Sequence, residues 1–390
     1  MDNNQTFIQK LLHRQGSTAD IPSTSGAQQR GDNSVKNHPA GARADRKWIL
    51  QVIGRLWAWL FLTVLILYFS FTPGFLDLGN FQAVLANNSL LLILALGQSF
   101  VIITGGIDLS TGFVMGLASV AASLVMRSLP AESGLFLVIS AGFITCILVG
   151  LVSGYINGIV IARLNVPPFI ATLGMYGIAR GIGYVLSGGP PVSVNTPGIG
   201  HFGNGYVLYH HPEAGFSFFQ PPAGISGPAL REVASYLPFQ VVYIIIALVL
   251  MHFILSKTKF GQHVYAIGGN SIAARRAGIP VNQILVKVYI LSAVMASIAG
   301  FLYVMRYVGG VATAGDALML SSIAAIVIGG ASLMGGEGTM IGALVGSLIV
   351  AVIQNGLIII GVDPFWQYVA VGVIIILAVL IDQAKAKVLS

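Results

Sequence analysis

Residues 83–112 read AVLANNSLLLILALGQSFVIITGGIDLSTG, an apolar run that is interrupted by two glycines and an acid before a second apolar run begins. About 20 uncharged, mostly apolar residues are enough for a helix to cross the hydrocarbon core of a bilayer. Gly105 and Gly106 favour a break in the helix, and Asp108 or Ser110 has a side chain that can cap the next helix. The stretch therefore predicts two membrane-spanning helices joined by a short polar break.

The composition of the whole chain agrees with this interpretation. The 390 residues are 55% hydrophobic and 8% charged, with a mean hydropathy of +0.84, whereas a soluble domain carries about 25% charged residues. The 48 glycines fit a membrane protein, because small residues let transmembrane helices approach closely. A net charge of +7 would suggest a nucleic-acid partner in a soluble protein, but no such partner is expected here. The single Cys146 excludes an internal disulfide and is expected to be buried.

Further apolar runs follow along the chain and predict an all-α polytopic membrane protein with about ten, and at least about eight, transmembrane helices. The second and third runs are separated only by Thr104 to Asp108, and the eighth and ninth only by Gly335 to Gly338. Each pair is either a tight hairpin or one broken, re-entrant helix. The runs lie near residues 50–71, 83–103, 109–126, 134–162, 167–187, 238–255, 286–308, 318–334, 339–360 and 365–382.

The distribution of charge predicts the domain boundaries and the orientation. Residues 1–47 are too polar to fold alone and are predicted to be a disordered cytoplasmic tail, followed by a transmembrane domain over 48–385. Most of the 20 Lys and Arg residues lie in the tail, in 256–286 and near the C-terminus. Because basic loops stay on the cytoplasmic side, both termini and the loop 256–286 are expected inside. The long segment 188–237 is then expected outside, as a docking face or as a loop that lies on the membrane and plugs the mouth of the bundle.

The loop 256–286 contains the sequence of a short capped helix. Asn270 or Ser271 can cap its start, residues 272–276 can form one or two turns, and Gly278 can end it. The small side chains of Ala273, Ala274 and Ala277 would form an exposed face suited to docking in a groove on another protein. An ordinary charged loop is the alternative.

The sequence contains no motif of an enzyme. A phosphate-binding P-loop requires a Gly-Lys dipeptide, which is absent, and there is neither a zinc-binding His-Glu-x-x-His helix nor a Gly-x-Ser-x-Gly elbow. His210 and His211 are adjacent without other evident ligands, so no metal, cofactor or catalytic residue is expected. If ATP drives the protein, another subunit must bind it.

Several polar side chains lie in or between the apolar runs, and they have two interpretations. They can bind helices to one another, or they can line a path for a neutral, hydroxylated solute. Asp108 either caps a helix or contributes to a binding site at a helix break. Buried acids and His do not occur in pairs, which argues against proton-coupled secondary transport. The Gly-Gly turns at Gly105-Gly106 and Gly335-Gly336 are weakly similar to each other, but this similarity does not define an internal repeat. The candidates for a substrate path are Asn87, Asn88, Gln98, Asp108, Asn157, Thr172, Gln354 and Asn355.

Separated sequence blocks over residues 80–382 resemble the permease subunits of bacterial ABC importers for monosaccharides such as ribose, xylose, arabinose and galactose. They occur in the order typical of that group: Gly97 to Ser110, Pro167 to Met175, Phe260-Gly261, Gly268-Gly269-Asn270, Ala273-Ala274-Arg275, Gly278-Ile279, Ile323 to Gly330, and Gly335-Gly336. The chain departs from the pattern at Ser271-Ile272, where an acid is common, and at residues 317–320, and its segment 188–237 is longer.

The resemblance implies a permease of the bacterial inner membrane that passes a monosaccharide or polyol inward without being an enzyme. It also implies an ATPase subunit, a periplasmic sugar-binding protein and a second permease subunit, identical or related, as partners. A secondary transporter is the alternative. By this resemblance the residues that couple the permease to the ATPase are Gly268, Gly269, Asn270, Ala273, Ala274, Arg275 and Gly278.

Overall fold

The computed structural model describes residues 56–130, 132–224, 232–363, 365–373, 376–377 and 380. The predicted tail 1–47, the start of the first apolar run and the end of the tenth lie outside these residues.

Within the described residues the fold is dominated by helices, seven of which are long and apolar enough to cross a membrane: Leu78–Ile103, Thr111–Ser128, Leu135–Ala162, Pro168–Ser187, Phe239–Lys257, Val281–Tyr307 and Met340–Ile359. The helices Leu56–Ser70 and Asp316–Ile328 are apolar but shorter, and a last helix, α13, is described over 365–373. A helical multi-pass membrane protein is thus confirmed, while ten spans and the orientation stay predictions. The helices are α1 (Leu56–Ser70), α2 (Leu78–Ile103), α3 (Thr111–Ser128), α4 (Leu135–Ala162), α5 (Pro168–Ser187), α6 (Ile199–Asn204), α7 (Phe239–Lys257), α8 (Lys259–Gly269), α9 (Ser271–Arg276), α10 (Val281–Tyr307), α11 (Asp316–Ile328) and α12 (Met340–Ile359).

Helix α10 lies at the centre of the bundle and packs on α2, α3 and α4. Its contact with α4 is close because Gly150, Gly154 and Gly158 recur every four residues on one face of α4. A Cβ atom on Gly154 would lie 2.5 Å from the Cα atom of Ile290 on α10. Small residues at such spacing bring two backbones together, which gives dispersion contacts that lipid tails cannot replace. Helix α2 is the other buried element, and every residue from Asn88 to Ile103 is buried.

Helices α4 and α5 lie at the periphery and turn large apolar side chains outward. Phe136 and Val152 on α4, and Ile170 and Val185 on α5, are all exposed. A soluble protein would expose an apolar surface of this extent only at an interface. These faces suit contact with lipid or with another membrane subunit.

Strands occur in the segment between α5 and α7, and the all-α prediction did not include them. Strand β1 (Val192–Ser193) pairs with β5 (Gly309–Gly310), and β2 (Tyr206–His211) is the middle strand of an antiparallel sheet with β3 (Gly215–Phe218) and β4 (Ala234–Pro238). Gly215, with φ of 74°, permits the tight turn between β2 and β3. The aromatic residues of 206–218 favour strands over helix.

The bundle has two chemically different ends. The loop end carries α8 and α9, together with the basic residues Lys257, Lys259, Arg275, Arg276 and Lys287. The sheet end carries β2 to β4, and α10 runs from the loop end to it, since Asn204 before β2 donates a 2.8 Å hydrogen bond to the carbonyl of Arg306 near the end of α10.

Candidate functional site

The loop between α7 and α10 folds into two short helices with defined caps. Asn270 separates them, and its Oδ1 atom accepts hydrogen bonds from the backbone amides of Ile272, at 3.0 Å, and Ala273, at 2.9 Å. Gly278 follows the end of the second short helix and has a φ of 83°, a left-handed conformation that favours glycine. The structure confirms the short helix predicted here, with Asn270 as its cap and Ser271 as its first residue.

The predicted docking face of Ala273, Ala274 and Ala277 is wrong at Ala274. Ala273 and Ala277 are exposed, as expected, but Ala274 is only 4% exposed and packs in the main hydrophobic core. The turn of α9 directs this position inward, so Ala274 packs against the bundle and not against a partner. The outer surface of α9 is formed instead by Ile272, which is 65% exposed, and by the basic side chains of Arg275 and Arg276.

Helix α8 meets the bundle at a contact of bare backbones, which we call the glycine junction and define as Gly105, Gly268 and Gly336 with the carbonyl of Ile103. The amide of Gly336 donates a 2.8 Å hydrogen bond to the Ile103 carbonyl. A Cβ atom on Gly268 would overlap both that carbonyl oxygen and the amide of Gly336. The junction therefore joins the end of α2, the end of α8 and the turn before α12 without space for a side chain.

Tyr265 adds a side-chain link beside the glycine junction. Its hydroxyl donates a 2.6 Å hydrogen bond to the carbonyl of Gly338. Burial raises the pKa of the Tyr265 hydroxyl, so this group stays protonated and able to donate. A displacement of α8 must consequently move the turn 335–338 or break these bonds.

Sequence reasoning identified Gly268 but missed Tyr265 and Gly336 as its partners. The sequence has six Gly-Gly dipeptides, and three of them, at 105–106, 268–269 and 335–336, meet in the structure. The dipeptide alone therefore does not identify which glycines lie together.

A second polar centre lies around Asp108, in the break between α2 and α3. The Oδ1 atom of Asp108 accepts hydrogen bonds from the amide of Ser110, at 2.9 Å, and from its hydroxyl, at 2.6 Å, while Oδ2 accepts one from Ser292 on α10 at 2.9 Å. Ser110 occupies the cap position of α3, and Asp108 holds its amide. Asp108 is 2% exposed, so its oxygens depend on these neutral donors.

Further side chains bind this break to the surrounding helices, and we call the whole set the Asp108 network. Gln98 on α2 donates to the carbonyl of Asp108 at 2.8 Å and accepts from Ser322 on α11 at 2.7 Å. Asn157 on α4 donates to the Ser110 hydroxyl at 3.0 Å, and Thr172 on α5 lies 3.3 Å from the Ile107 carbonyl. In this conformation the network holds helices together.

Of the remaining candidates for the substrate path, three make hydrogen bonds between helices and one lines a cavity. Asn88 bonds to Ser347 at 3.1 Å, and Asn355 donates to Asn80 at 2.8 Å. Asn87 accepts from the guanidinium group of Arg306. Gln354 differs, because it lines a cavity at the sheet end. A substrate-path role stays a prediction for all eight candidates.

The described residues offer no group of three or more His, Cys, Asp or Glu side chains that could hold a metal ion. His211 is buried, and its Nδ1 atom accepts from the amides of Glu213 and Ala214, at 3.2 and 3.3 Å. It therefore stabilises the turn between β2 and β3.

An apolar helical bundle with seven helices long enough to cross a bilayer defines a multi-pass membrane protein. The chain belongs to the family described as the permease component of the branched-chain amino acid transport system, which matches residues 80–379.

Similar proteins include the galactose/methyl galactoside import permease protein MglC of Escherichia coli strain K12. That protein is 37% identical over 322 residues, covering 80% of this chain and 89% of the relative. The ribose import permease protein RbsC of Bacillus subtilis strain 168 is 35% identical over 338 residues, covering 86% of this chain and 94% of the relative. No solved structure gives a significant match.

Proposed function

We propose that the chain is the membrane permease subunit of a bacterial ABC importer for a monosaccharide or polyol. The family is one of transport permeases, and the relatives named above import galactose, methyl galactosides and ribose. Since the chain has no P-loop, ATP binds and is hydrolysed on a separate subunit. The protein resides in the inner membrane.

The observation that carries this proposal is that α9 is exposed while α8 is fixed to the bundle by backbone contacts. Helix α9 presents Ile272, Arg275 and Arg276 outward, while α8 contacts the bundle backbone at the glycine junction. An element that is exposed on one side and rigidly attached on the other can transmit a movement from a partner to the helices. In this proposal the ATPase binds α9, and the junction passes its movement to α2 and α12.

The orientation follows from the same elements. The basic residues of the loop end favour the cytoplasm, which is where an ATPase meets ATP. The sheet end then faces the periplasm. There β3 is an edge strand with Phe216 and Phe218 exposed, and exposed aromatic residues are typical of protein interfaces. This sheet is the proposed docking face for the periplasmic sugar-binding protein, and the apolar periphery provides the contact with a second permease subunit.

We expect two results from the protein isolated in mild detergent from its native cells. An ATPase subunit co-purifies with it, and proteoliposomes of the complex, supplied with the cognate binding protein, accumulate sugar only when ATP is present. Uptake without ATP would instead indicate a secondary transporter. Absence of an ATPase from the complex, together with ATP-independent uptake, would refute the proposal.

Ile272→Ala is expected to reduce ATPase binding about tenfold, because truncation of an apolar residue that serves as an interface anchor costs more than about 1 kcal/mol. The side chain is exposed, so the substitution leaves the permease fold intact. Gln262→Ala makes a similar truncation at an exposed position of α8 and is the control. Titration of purified ATPase against each immobilised variant measures the change, and equal affinities would exclude Ile272 from the interface.

A further inference from the structure

Between α11, α12 and α13 lies a cavity of about 850 Å³ that opens at the sheet end. Thr313 and Asp316 reach it from the start of α11, Gln354 from the last turns of α12, and Phe365 and Tyr368 from the start of α13. Its size is within the range of about 300–1,000 Å³ that small-molecule sites occupy.

The lining of the cavity combines two kinds of surface. Phe365 and Tyr368 are three residues apart on α13 and strongly exposed, so their rings stand free on one wall. Thr313, Asp316, Ser321 and Gln354 provide hydroxyl, carboxylate and amide groups on the other walls. Such a site presents apolar faces beside a few hydrogen-bonding groups that orient a ligand.

The polar groups of this cavity differ from the other polar residues of the bundle. The candidates around Asp108, and Asn88 and Asn355, bond to neighbouring helices. Within the described part of the protein, the side chains of Asp316 and Gln354 have no hydrogen-bond partner, and Ser321 bonds only to the Ala317 carbonyl of its own helix. They remain available to a ligand.

We propose that this cavity is an entry subsite for the transported sugar, an assignment that rests on the function proposed above. A monosaccharide has apolar C–H faces that fit an aromatic ring, and hydroxyl groups that fit Asp316 and Gln354. Hydrogen bonds to a carboxylate are stronger than those between neutral groups, which makes Asp316 the principal polar contact. A lipid tail would leave Asp316 without a partner at a high cost in free energy.

Cysteine protection tests the subsite directly. The natural Cys146 is fully buried, so an introduced cysteine is the reactive thiol of the described chain. Thr313→Cys and Gln367→Cys lie in the cavity, and Leu76→Cys, exposed elsewhere near the sheet end, is the control. In membranes from cells that express the whole transporter, a maleimide is applied with D-galactose, D-ribose or L-leucine as the probe.

One of the two sugars is expected to slow labelling of both cavity cysteines, by about sixfold at a concentration of five times its Kd, since protection follows 1 + [L]/Kd. Labelling of Leu76→Cys stays unchanged, and L-leucine has no effect. Protection by L-leucine alone would overturn the sugar assignment. Unchanged labelling with every probe, as when a lipid or a second subunit fills the cavity, would overturn the subsite.

Uptake kinetics separate this proposal from the proposed function. Asp316→Asn and Tyr368→Ala are expected to raise the KM for sugar about tenfold with little change in maximal rate, whereas Asp77→Asn, at an exposed position outside the cavity, keeps the wild-type KM. A stabilising role of Asp316 at the start of α11 would lower the unfolding temperature but leave KM unchanged. If the wild-type protein shows no ATP-driven sugar uptake, the proposed function fails. If it does and the variants keep the wild-type KM, the subsite alone fails.

Discussion

Gly268→Ala is expected to lower ATP-driven uptake about tenfold or more, because forcing a methyl group into a filled site costs about 1–3 kcal/mol. The new Cβ atom would overlap the Ile103 carbonyl oxygen and the Gly336 amide. Relief of that overlap requires α8 to withdraw from the glycine junction, which separates α8, and with it the attached α9, from α2. The outer surface of α9 is unchanged, so ATPase binding persists while transport fails.

The neighbouring residue provides a matched control for this experiment. A Cβ atom on Gly269 would meet nothing within 4 Å, and both glycines belong to α8. Although the family resemblance also places Gly269 among the coupling residues, its open surroundings lead us to expect normal uptake by Gly269→Ala, since alanine favours the helix by up to about 1 kcal/mol over glycine. Parallel measurement of membrane insertion, ATPase co-purification and uptake distinguishes uncoupling from misfolding. Equal uptake by the two alanine variants would contradict transmission through the junction.

The loop that contains Gly268 and Gly269 also shows which structural elements of this protein could be predicted from its sequence. Helix α9 was predictable in detail because a cap and a terminating glycine act within a few residues of each other. The apolar runs likewise predict the long helices, because a span depends on local composition. The predicted runs 83–103 and 339–360 agree closely with α2 and α12.

The contacts that join these elements were not predictable from local patterns. Asn80 and Asn355 are 275 positions apart, and Gln98 and Ser322 are 224 apart. A polar residue in an apolar run signals that it needs a partner, but many arrangements of the same helices would satisfy it. The inward position of Ala274 depends on tertiary packing in the same way. The eight path candidates were selected by polarity alone, which does not distinguish a residue that binds a helix from one beside a cavity.

The second large effect is expected at Asp108. Asp108→Leu is expected to lower the free energy of unfolding by about 3–5 kcal/mol, because it leaves the buried Ser110 amide without an acceptor and removes the bond to Ser292. For a chain of this size we expect an unfolding temperature lower by about 5 °C in detergent. Thermal unfolding followed by circular dichroism measures the change.

Asp108→Asn separates the structural role of this residue from a role of its charge. The amide oxygen can still accept from Ser110, and the amide nitrogen can donate to the Ser292 hydroxyl, so the expected loss is only about 1 kcal/mol. If Asp108 serves to hold the break between α2 and α3, the Asn variant keeps most of its uptake. A transporter that couples sugar to protons through Asp108 would lose uptake when the carboxylate is removed. Retained, ATP-dependent uptake by Asp108→Asn would therefore exclude such coupling at the buried acid of the Asp108 network and leave ATP hydrolysis on the partner as the driving force, whereas its loss in a stably folded variant would contradict the structural role.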